Sequence, residues 1–264
     1  MIAILGTGKM GEAVLSGLLR AGRPPSEVAV VVRRQARADE LRAAYGVPVV
    51  SAQEAVKSAG TLVVAVKPRD VAAILGEIAG LVTADQLVIS VAAGITTASI
   101  EQRLPAGVPV VRVTTNTPML VGEAMSLISA GSSASDSHLR RAEDMLSPVG
   151  KVLRIPEYQQ DAATALAGSG PAYVFYLIEA MADAGVLVGL PRRTALEMVT
   201  QTVYGAAAMA RDSGEHPVIL REAVTSPGGT TIAATRELDR HGARAAVFAA
   251  IEAARDRGRE LGGS

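Results

Sequence analysis

The sequence predicts an α/β chain in two parts: a doubly wound parallel sheet over residues 1–155, then an all-helical region over residues 156–264. Three observations carry this reading. Short apolar runs without polar alternation recur through the first half, as in parallel strands covered on both faces. Helical patterns fall between them at βαβ spacing. After Ile155 the strand signals stop, and the apolar periodicity is helical to the end.

The elements follow in order. "IAILG" (Ile2–Gly6) is a buried strand, and a helical pattern runs from Lys9 to Ala21. "VAVVV" (Val28–Val32) is the second strand, and "ARADELRAAYG" (Ala36–Gly46) a helix closed by its glycine. "VPVV" (Val47–Val50) reads as a third strand, followed by a short helix near Ala52–Ser58 and the strand "TLVVAV" (Thr61–Val66). Pro68 opens a further helix, since proline suits a first turn. "LVISVAA" (Leu87–Ala93), "VPVVRV" (Val108–Val113) and "GKVLRI" (Gly150–Ile155) complete the strands. In the helical region Pro171 and Pro191 mark first turns, and Gly189 and Gly214 mark stops.

Composition narrows the partners. Hydrophobic residues make up 49% of the chain, ample for a core, while Lys plus Arg equals Asp plus Glu at 26 each. A balanced charge argues against nucleic acid or an anionic membrane as partner. No cysteine is present, which excludes disulfides and fits a reducing compartment. Met1 leads directly into an apolar strand with no basic segment before it, so a cytoplasmic location is expected. The apolar stretch Ala172–Leu190 carries Glu179 and Asp183 near its middle, where charge is costly in lipid, so it reads as a helix buried in protein.

Gly6-Thr7-Gly8-Lys9-Met10-Gly11 matches G-x-G-x-x-G between the first strand and the first helix, the setting of a Rossmann-type dinucleotide site. Gly6 permits the tight turn, Gly8 the approach of a pyrophosphate, and Gly11 the close packing of helix on strand. The second strand ends in Arg33-Arg34, with no carboxylate until Asp39. Guanidinium groups suit a 2′-phosphate, so NADPH is favoured over NADH. "AVKP" (Ala65, Val66, Lys67, Pro68) and Ala92, Ala93 and Gly94 end later strands at the same crevice, where small residues leave room for ribose and nicotinamide. Lys67 is either a phosphate neighbour or a plain surface lysine. Asn116 either bonds a carboxamide or hydroxyl of the cofactor, or forms an Asx-turn before Pro118.

Two stretches of the helical region stand out. "AGSGPAYVF" (Ala167–Phe175) places glycines at a helix start, suited to a site or to close helix crossing through Gly168 and Gly170. "AVTSPGGTTIAATRELDR" (Ala223–Arg240) runs a loop into a helix with two glycines and two threonines at its first turn. Unencumbered N–H groups and hydroxyls at a helix N-terminus suit a small anion. His138, His216 and His241 are scattered and read as surface or cap residues, and no metal site is expected.

The motifs G-x-G-x-x-G, "AVKP", "AAG", "NTP", "GSGPAYVF" and "SPGGTT", in this order over nearly the whole chain, resemble the pyrroline-5-carboxylate reductase family. The resemblance implies NAD(P)H-dependent reduction of 1-pyrroline-5-carboxylate to L-proline, the last step of proline biosynthesis. It implies a helical dimerisation lobe, an active site at the subunit interface, and self-association as a dimer or higher, a decamer included. The anion is then the substrate carboxylate, held by the N–H groups of Gly229, Thr230 and Thr231 with the Ser226 hydroxyl. Thr231 is implied beside the ring nitrogen, as the catalytic residue. Glu157 aligns with a glutamate near the substrate in some members, and an exposed helix-start carboxylate is its other reading. The chain departs from the family at "TTNTP" (Thr114–Pro118), where "MPNTP" is usual, and at Ala52, where asparagine is often found.

Two alternatives are weighed. A related two-lobe 3-hydroxy acid dehydrogenase generally needs a lysine in its second lobe, and no lysine occurs between Glu157 and Ser264. A non-catalytic NADPH-binding sensor would keep the first lobe and have no need of "SPGGTT".

Overall fold

The computed structural model describes residues 1–262. A seven-stranded sheet has the order β2-β1-β3-β4-β5-β6-β7, built from β1 (Ile2–Leu5), β2 (Val28–Val31), β3 (Thr61–Val64), β4 (Leu87–Ser90), β5 (Val110–Thr114), β6 (Ala124–Ala130) and β7 (Gly150–Arg154). The first five strands are parallel, and β6 runs antiparallel to β5. Both faces are covered. One apolar layer lies under α1 (Lys9–Arg20), α2 (Gln35–Tyr45) and α6 (Asp136–Leu146). The other lies under α3 (Ala52–Ser58), α4 (Val71–Ile78) and α5 (Thr97–Glu101).

Local chemistry sets the helix ends. Gly46 closes α2 in the left-handed conformation. Ser51 and Glu54 form a capping box at α3, and the Ser51 backbone N–H and hydroxyl hold the Glu54 carboxyl below its usual range. His138 accepts the Ser135 backbone N–H at the start of α6, so it serves as a cap.

Two strand readings need correction. Val47–Val50 makes only an isolated bridge between Val30 and Val49, because Pro48 has no N–H to donate to a ladder. Strand β6 is additional. Its sequence, "AMSLISA", lacks a β-branched run, and its inward Ser126 and Ser129 are buried polar residues. Gly122, at φ +78°, turns the chain back after the 3₁₀ segment Thr117–Val121, which gives β6 its reversed direction.

The chain divides into two compact units, one of Met1–Ser169 with the stretch from Ala254, the other Gly170–Ala253. The expected boundary at 155 coincides with the end of the last strand, but the first unit continues further. The reason is a polar seam. Helix α7 (Gln160–Ala163) and the π-helical turn Thr164–Gly168 lie along β5 and β6. Gln160 is buried and donates to the Leu127 carbonyl at 3.1 Å and to Ser129 Oγ at 2.8 Å.

The second unit contains α8 (Gly170–Leu187), α9 (Arg192–Ser213), α10 (Pro217–Ala223), α11 (Thr230–Arg240) and the first half of α12 (Ala243–Gly262). Gly189 and Gly214, at φ +100° and +68°, end α8 and α9. Gly185 packs against Ala195, where an added Cβ would come within 2.9 Å of the alanine methyl. Within the described residues of this unit only Ala182 and Ala195 are buried hydrophobics, so one chain by itself leaves the apolar α8 largely uncovered. Val174, Phe175, Tyr176, Leu177 and Met181 are all exposed on the single chain. No helix among the described residues is long and apolar enough to cross a membrane.

Candidate active site

The carboxyl ends of the parallel strands meet in two adjoining crevices at the switch point between β1 and β3, where open α/β sheets take their ligands. Gly6 ends β1 with φ +92°, and a Cβ there would fall 2.4 Å from Val66 Cγ1. Gly11 lies so close to the turn that its Cβ would meet the Gly6 carbonyl oxygen at 2.2 Å. At Gly8 nothing lies within 4 Å of an added Cβ. Gly8 also starts α1 without a side-chain cap, which leaves the N–H groups of that first turn for a ligand. Thr7 is buried beside it, and its Oγ1 has no hydrogen-bond partner. An open cradle, free helix N–H groups and an orphaned hydroxyl fit a pyrophosphate.

The first crevice, about 330 Å³, extends from Gly6, Thr7 and Gly8 to Arg33, Arg34 and Arg37. Arg33 is exposed and only loosely paired with Asp70, at 3.4 Å. Arg37 is fixed: it donates to Glu12 Oε2 at 2.5 Å and to Glu40 Oε2 at 2.9 Å. Its hydrogen bond to Glu40, and then that to Glu12, raise an already high pKa, so it stays a cation. Tyr45 donates to Glu12 Oε1, and burial followed by that bond pushes its phenol up. The outer end of the crevice is therefore cationic, with Arg33 and Arg34 exposed beside the fixed Arg37.

The second crevice, about 600 Å³, is lined by Gly8, Lys9 and Met10, by Ala65 to Pro68, and by Ala92 and Ala93. Its remaining wall is Thr114 and Thr115 from the end of β5, with Thr164, Gly168 and Ser169 from the π-turn. The wall is mostly small and apolar, of a size for a ribose and a flat ring.

In the second unit, Gly228 at φ +69° turns the loop into α11. Gly229 is its N-cap, extended and with no side-chain cap, so the N–H groups of Thr230 and Thr231 in the first turn lack helical partners. Ser226 Oγ folds over this turn, 2.3 Å from where a Cβ on Gly229 would stand. Any larger residue there would displace the hydroxyl. The arrangement is an uncapped helix start with a serine hydroxyl over it, the chemistry of a carboxylate cradle.

Comparison with known proteins places this architecture. Residues 157–261 match the family described as pyrroline-5-carboxylate reductase dimerisation, and residues 1–94 match the coenzyme F420-dependent NADP oxidoreductase family. The pyrroline-5-carboxylate reductase of Corynebacterium melassecola is 43% identical, over 99% of this chain and 98% of its own. The Mycobacterium tuberculosis enzyme is 45% identical, over 98% and 96%. The chain belongs to the pyrroline-5-carboxylate reductase family. The Coxiella burnetii pyrroline-5-carboxylate reductase structure superposes with a TM-score of 0.91 at 34% identity, covering 98% of this chain and 97% of that one. A Plasmodium falciparum pyrroline carboxylate reductase solved with NADP bound does so at 0.89 and 27% identity, over 99% and 97%.

In this member of the pyrroline-5-carboxylate reductase family, most of the expected cofactor residues line the crevices, including Lys67, which borders both. Gly11 and Gly94 do not. Gly11 acts through packing, and Gly94, at φ +76°, turns the chain after β4. Asn116 is neither of its expected forms. Its Nδ2 donates to the Ala167 carbonyl at 3.0 Å and its Oδ1 accepts the Met125 N–H at 3.1 Å, so its side chain ties three segments together. Glu157 is likewise engaged: it accepts from the Thr97 N–H and hydroxyl at 2.7 and 2.6 Å, and from Arg112 at 3.4 Å. It lines neither crevice, and its carboxylate anchors α5. Ala52 is buried under the sheet's second face and lines neither crevice. Arg37, Thr164 and Ser169 are crevice residues that the sequence reading did not single out for the cofactor. The Ala167–Phe175 motif marked the neighbourhood of Ser169, while nothing in the pattern pointed to Arg37 or Thr164.

Proposed function

We propose that this chain reduces 1-pyrroline-5-carboxylate to L-proline with NADPH, as a cytoplasmic biosynthetic enzyme that works as a dimer. The observation that carries the reading is the uncapped start of α11 at Gly229–Thr231 with Ser226 folded over it. It has the chemistry of a second anion cradle, carried by the helical unit. Residues 1–155, with Thr164, Gly168 and Ser169 closing the second crevice, hold the cofactor, and the later helical residues supply the carboxylate cradle and the self-association surface.

When bound, NADPH supplies a hydride. The chain's own residues do the rest. The N–H groups of Thr230 and Thr231 and the Ser226 hydroxyl hold the carboxylate and so fix the ring, while the Gly229 N–H, expected to join them, instead donates to the Ser226 carbonyl at 3.1 Å and closes the turn. The Thr231 hydroxyl hydrogen-bonds the ring nitrogen, whose C=N bond becomes C–N as C5 gains hydride and the nitrogen keeps its proton. A protonated imine is already electrophilic, so positioning suffices and no strong acid is required.

Adding 1-pyrroline-5-carboxylate to the protein with NADPH should consume the absorbance at 340 nm, with proline as product. Absence of turnover by protein that binds NADPH would reject the reading. Thr231→Ala should lower kcat by roughly tenfold to a hundredfold, the scale of one positioned hydrogen bond. Its NADPH affinity should be unchanged, and a variant with normal kcat would remove Thr231 from the reaction.

Cofactor choice is tested separately. Replacing Arg33 and Arg34 together by Ala should raise the KM for NADPH by at least about tenfold, because each charge-assisted bond to a phosphate contributes roughly 1.5–3 kcal/mol. The KM for NADH should hardly move. An unchanged NADPH/NADH ratio would assign the phosphate to the fixed Arg37 instead.

A further inference from the structure

The two hydroxyls that replace the family's usual Met-Pro are not passive filling. Thr115 Oγ1 pairs with buried Ser126 Oγ at 2.8 Å, inside the sheet. Thr114 Oγ1 lies 3.0 Å from Thr164 Oγ1 across the crevice wall, and Thr114 is itself 8% exposed. Which of these two hydroxyls donates follows from proton counting. Thr164 Oγ1 is 2.8 Å from the Gln160 carbonyl oxygen, which can only accept. A hydroxyl has one proton, so Thr164 has spent its own on Gln160. The Thr114–Thr164 bond must then be donated by Thr114. With its one proton committed, Thr114 can only accept from anything else.

We propose that Thr114 is a specificity-determining acceptor for the carboxamide N–H of the cofactor's nicotinamide, held in that role by the Thr164–Gln160 relay. This rests on the reading that the second crevice takes the nicotinamide end of NADPH. On a wall of small residues, where the Thr115 hydroxyl is paired with Ser126 and that of Thr164 with Gln160, a fixed acceptor at Thr114 favours a ring substituent that carries a donor. The relay matters as much as the threonine. A free hydroxyl would turn to donate to a carbonyl and would not discriminate. The contacts on either side hold the wall in register: Arg112 donates to Asp161 at 3.0 Å, and Asn116 to the Ala167 carbonyl.

The test is equilibrium binding, read by fluorescence or calorimetry, of NADPH and of its 3-acetylpyridine analogue, which keeps the carbonyl and lacks the N–H donor. The wild type should bind NADPH more tightly, and the ratio of the two Kd values should shrink about three- to tenfold in Thr114→Val, the scale of one neutral hydrogen bond. Thr114→Ser should keep the wild-type ratio. Thr164→Val should also narrow it, by tightening the analogue, because the freed Thr114 proton can then reach the acetyl oxygen. A ratio unchanged in both valine variants would overturn the proposal, and so would a wild type that does not discriminate. If Thr114→Val does not fold, the serine and Thr164→Val variants still decide. A wild type that binds neither dinucleotide would instead sink the cofactor reading on which this rests.

Discussion

Gly8→Ala and Gly11→Ala are each expected to weaken NADPH binding by roughly tenfold to a hundredfold, the scale of losing one hydrogen bond to a charged group, and for different reasons. At Gly8 an added methyl meets no protein atom within 4 Å, and φ is −79°, which alanine adopts freely. The variant should therefore fold with the wild-type Tm and fail only when a pyrophosphate needs the space above the loop. At Gly11 the methyl would lie 2.2 Å from the Gly6 carbonyl oxygen, a backbone atom with nowhere to turn. Helix α1 must move off the sheet, so Tm should fall along with affinity. Thermal melts with and without NADPH separate the cases. Normal binding by Gly8→Ala would show that no phosphate passes over that residue.

That contrast shows how much of the site the sequence made legible. The glycine spacing works through local backbone geometry, and local geometry is what a linear pattern encodes. Gly6, Gly8 and Gly11 could be assigned roles before any coordinates, and the same holds for the helix stops at Gly46, Gly189 and Gly214 and for the caps formed by His138 and His216. The opposite wall of the crevice was not legible, because it is built by contacts between distant segments. Arg112 and Thr114 lie two residues apart on one side of β5, and Asn116 follows two residues beyond Thr114, just past the strand's end. They meet Asp161, Thr164 and Ala167, three residues apart on the helical segment that runs beside it. A strand period of two and a helical spacing of three match only when the two are laid side by side. Seen from the sequence, Asn116 is either a cofactor contact or a turn signal before Pro118, and Glu157 either a substrate neighbour or a helix-start carboxylate. Only the fold shows that both are ties. Strand β6 escaped for a related reason: its buried serines are satisfied by Thr115 and Ile155, so they look polar in sequence and behave as core.

Self-association is the property on which the second unit depends most, and disrupting it is expected to remove folded protein altogether. Phe175 and Leu177 are two residues apart on α8, hence on nearly opposite sides of the helix, and both are more than half exposed. Tyr176 and Met181 are exposed as well. Burying a side chain of this size is worth about 1.5–3 kcal/mol, so one helix here leaves several kcal/mol of apolar burial unrealised. A flat contact on one side would not recover it. A second copy that wraps α8 from both sides would, and the neighbouring exposed Leu196, Met198, Tyr204 and Met209 of α9 continue the same surface. The relation of residues 157–261 to a dimerisation family fits this occupant. The monomer should therefore be undetectable by light scattering at micromolar concentration, and Tm should rise with protein concentration, as mass action requires of an obligate oligomer. Phe175→Glu and Leu177→Glu should each give aggregated or unfolded protein without activity, because a charge would have to be buried unpaired. A soluble, fully active monomer from either variant would end the idea. So would a Tm independent of concentration in the wild type, since the unit's own core among the described residues, Ala182 and Ala195, is too small to hold five helices together.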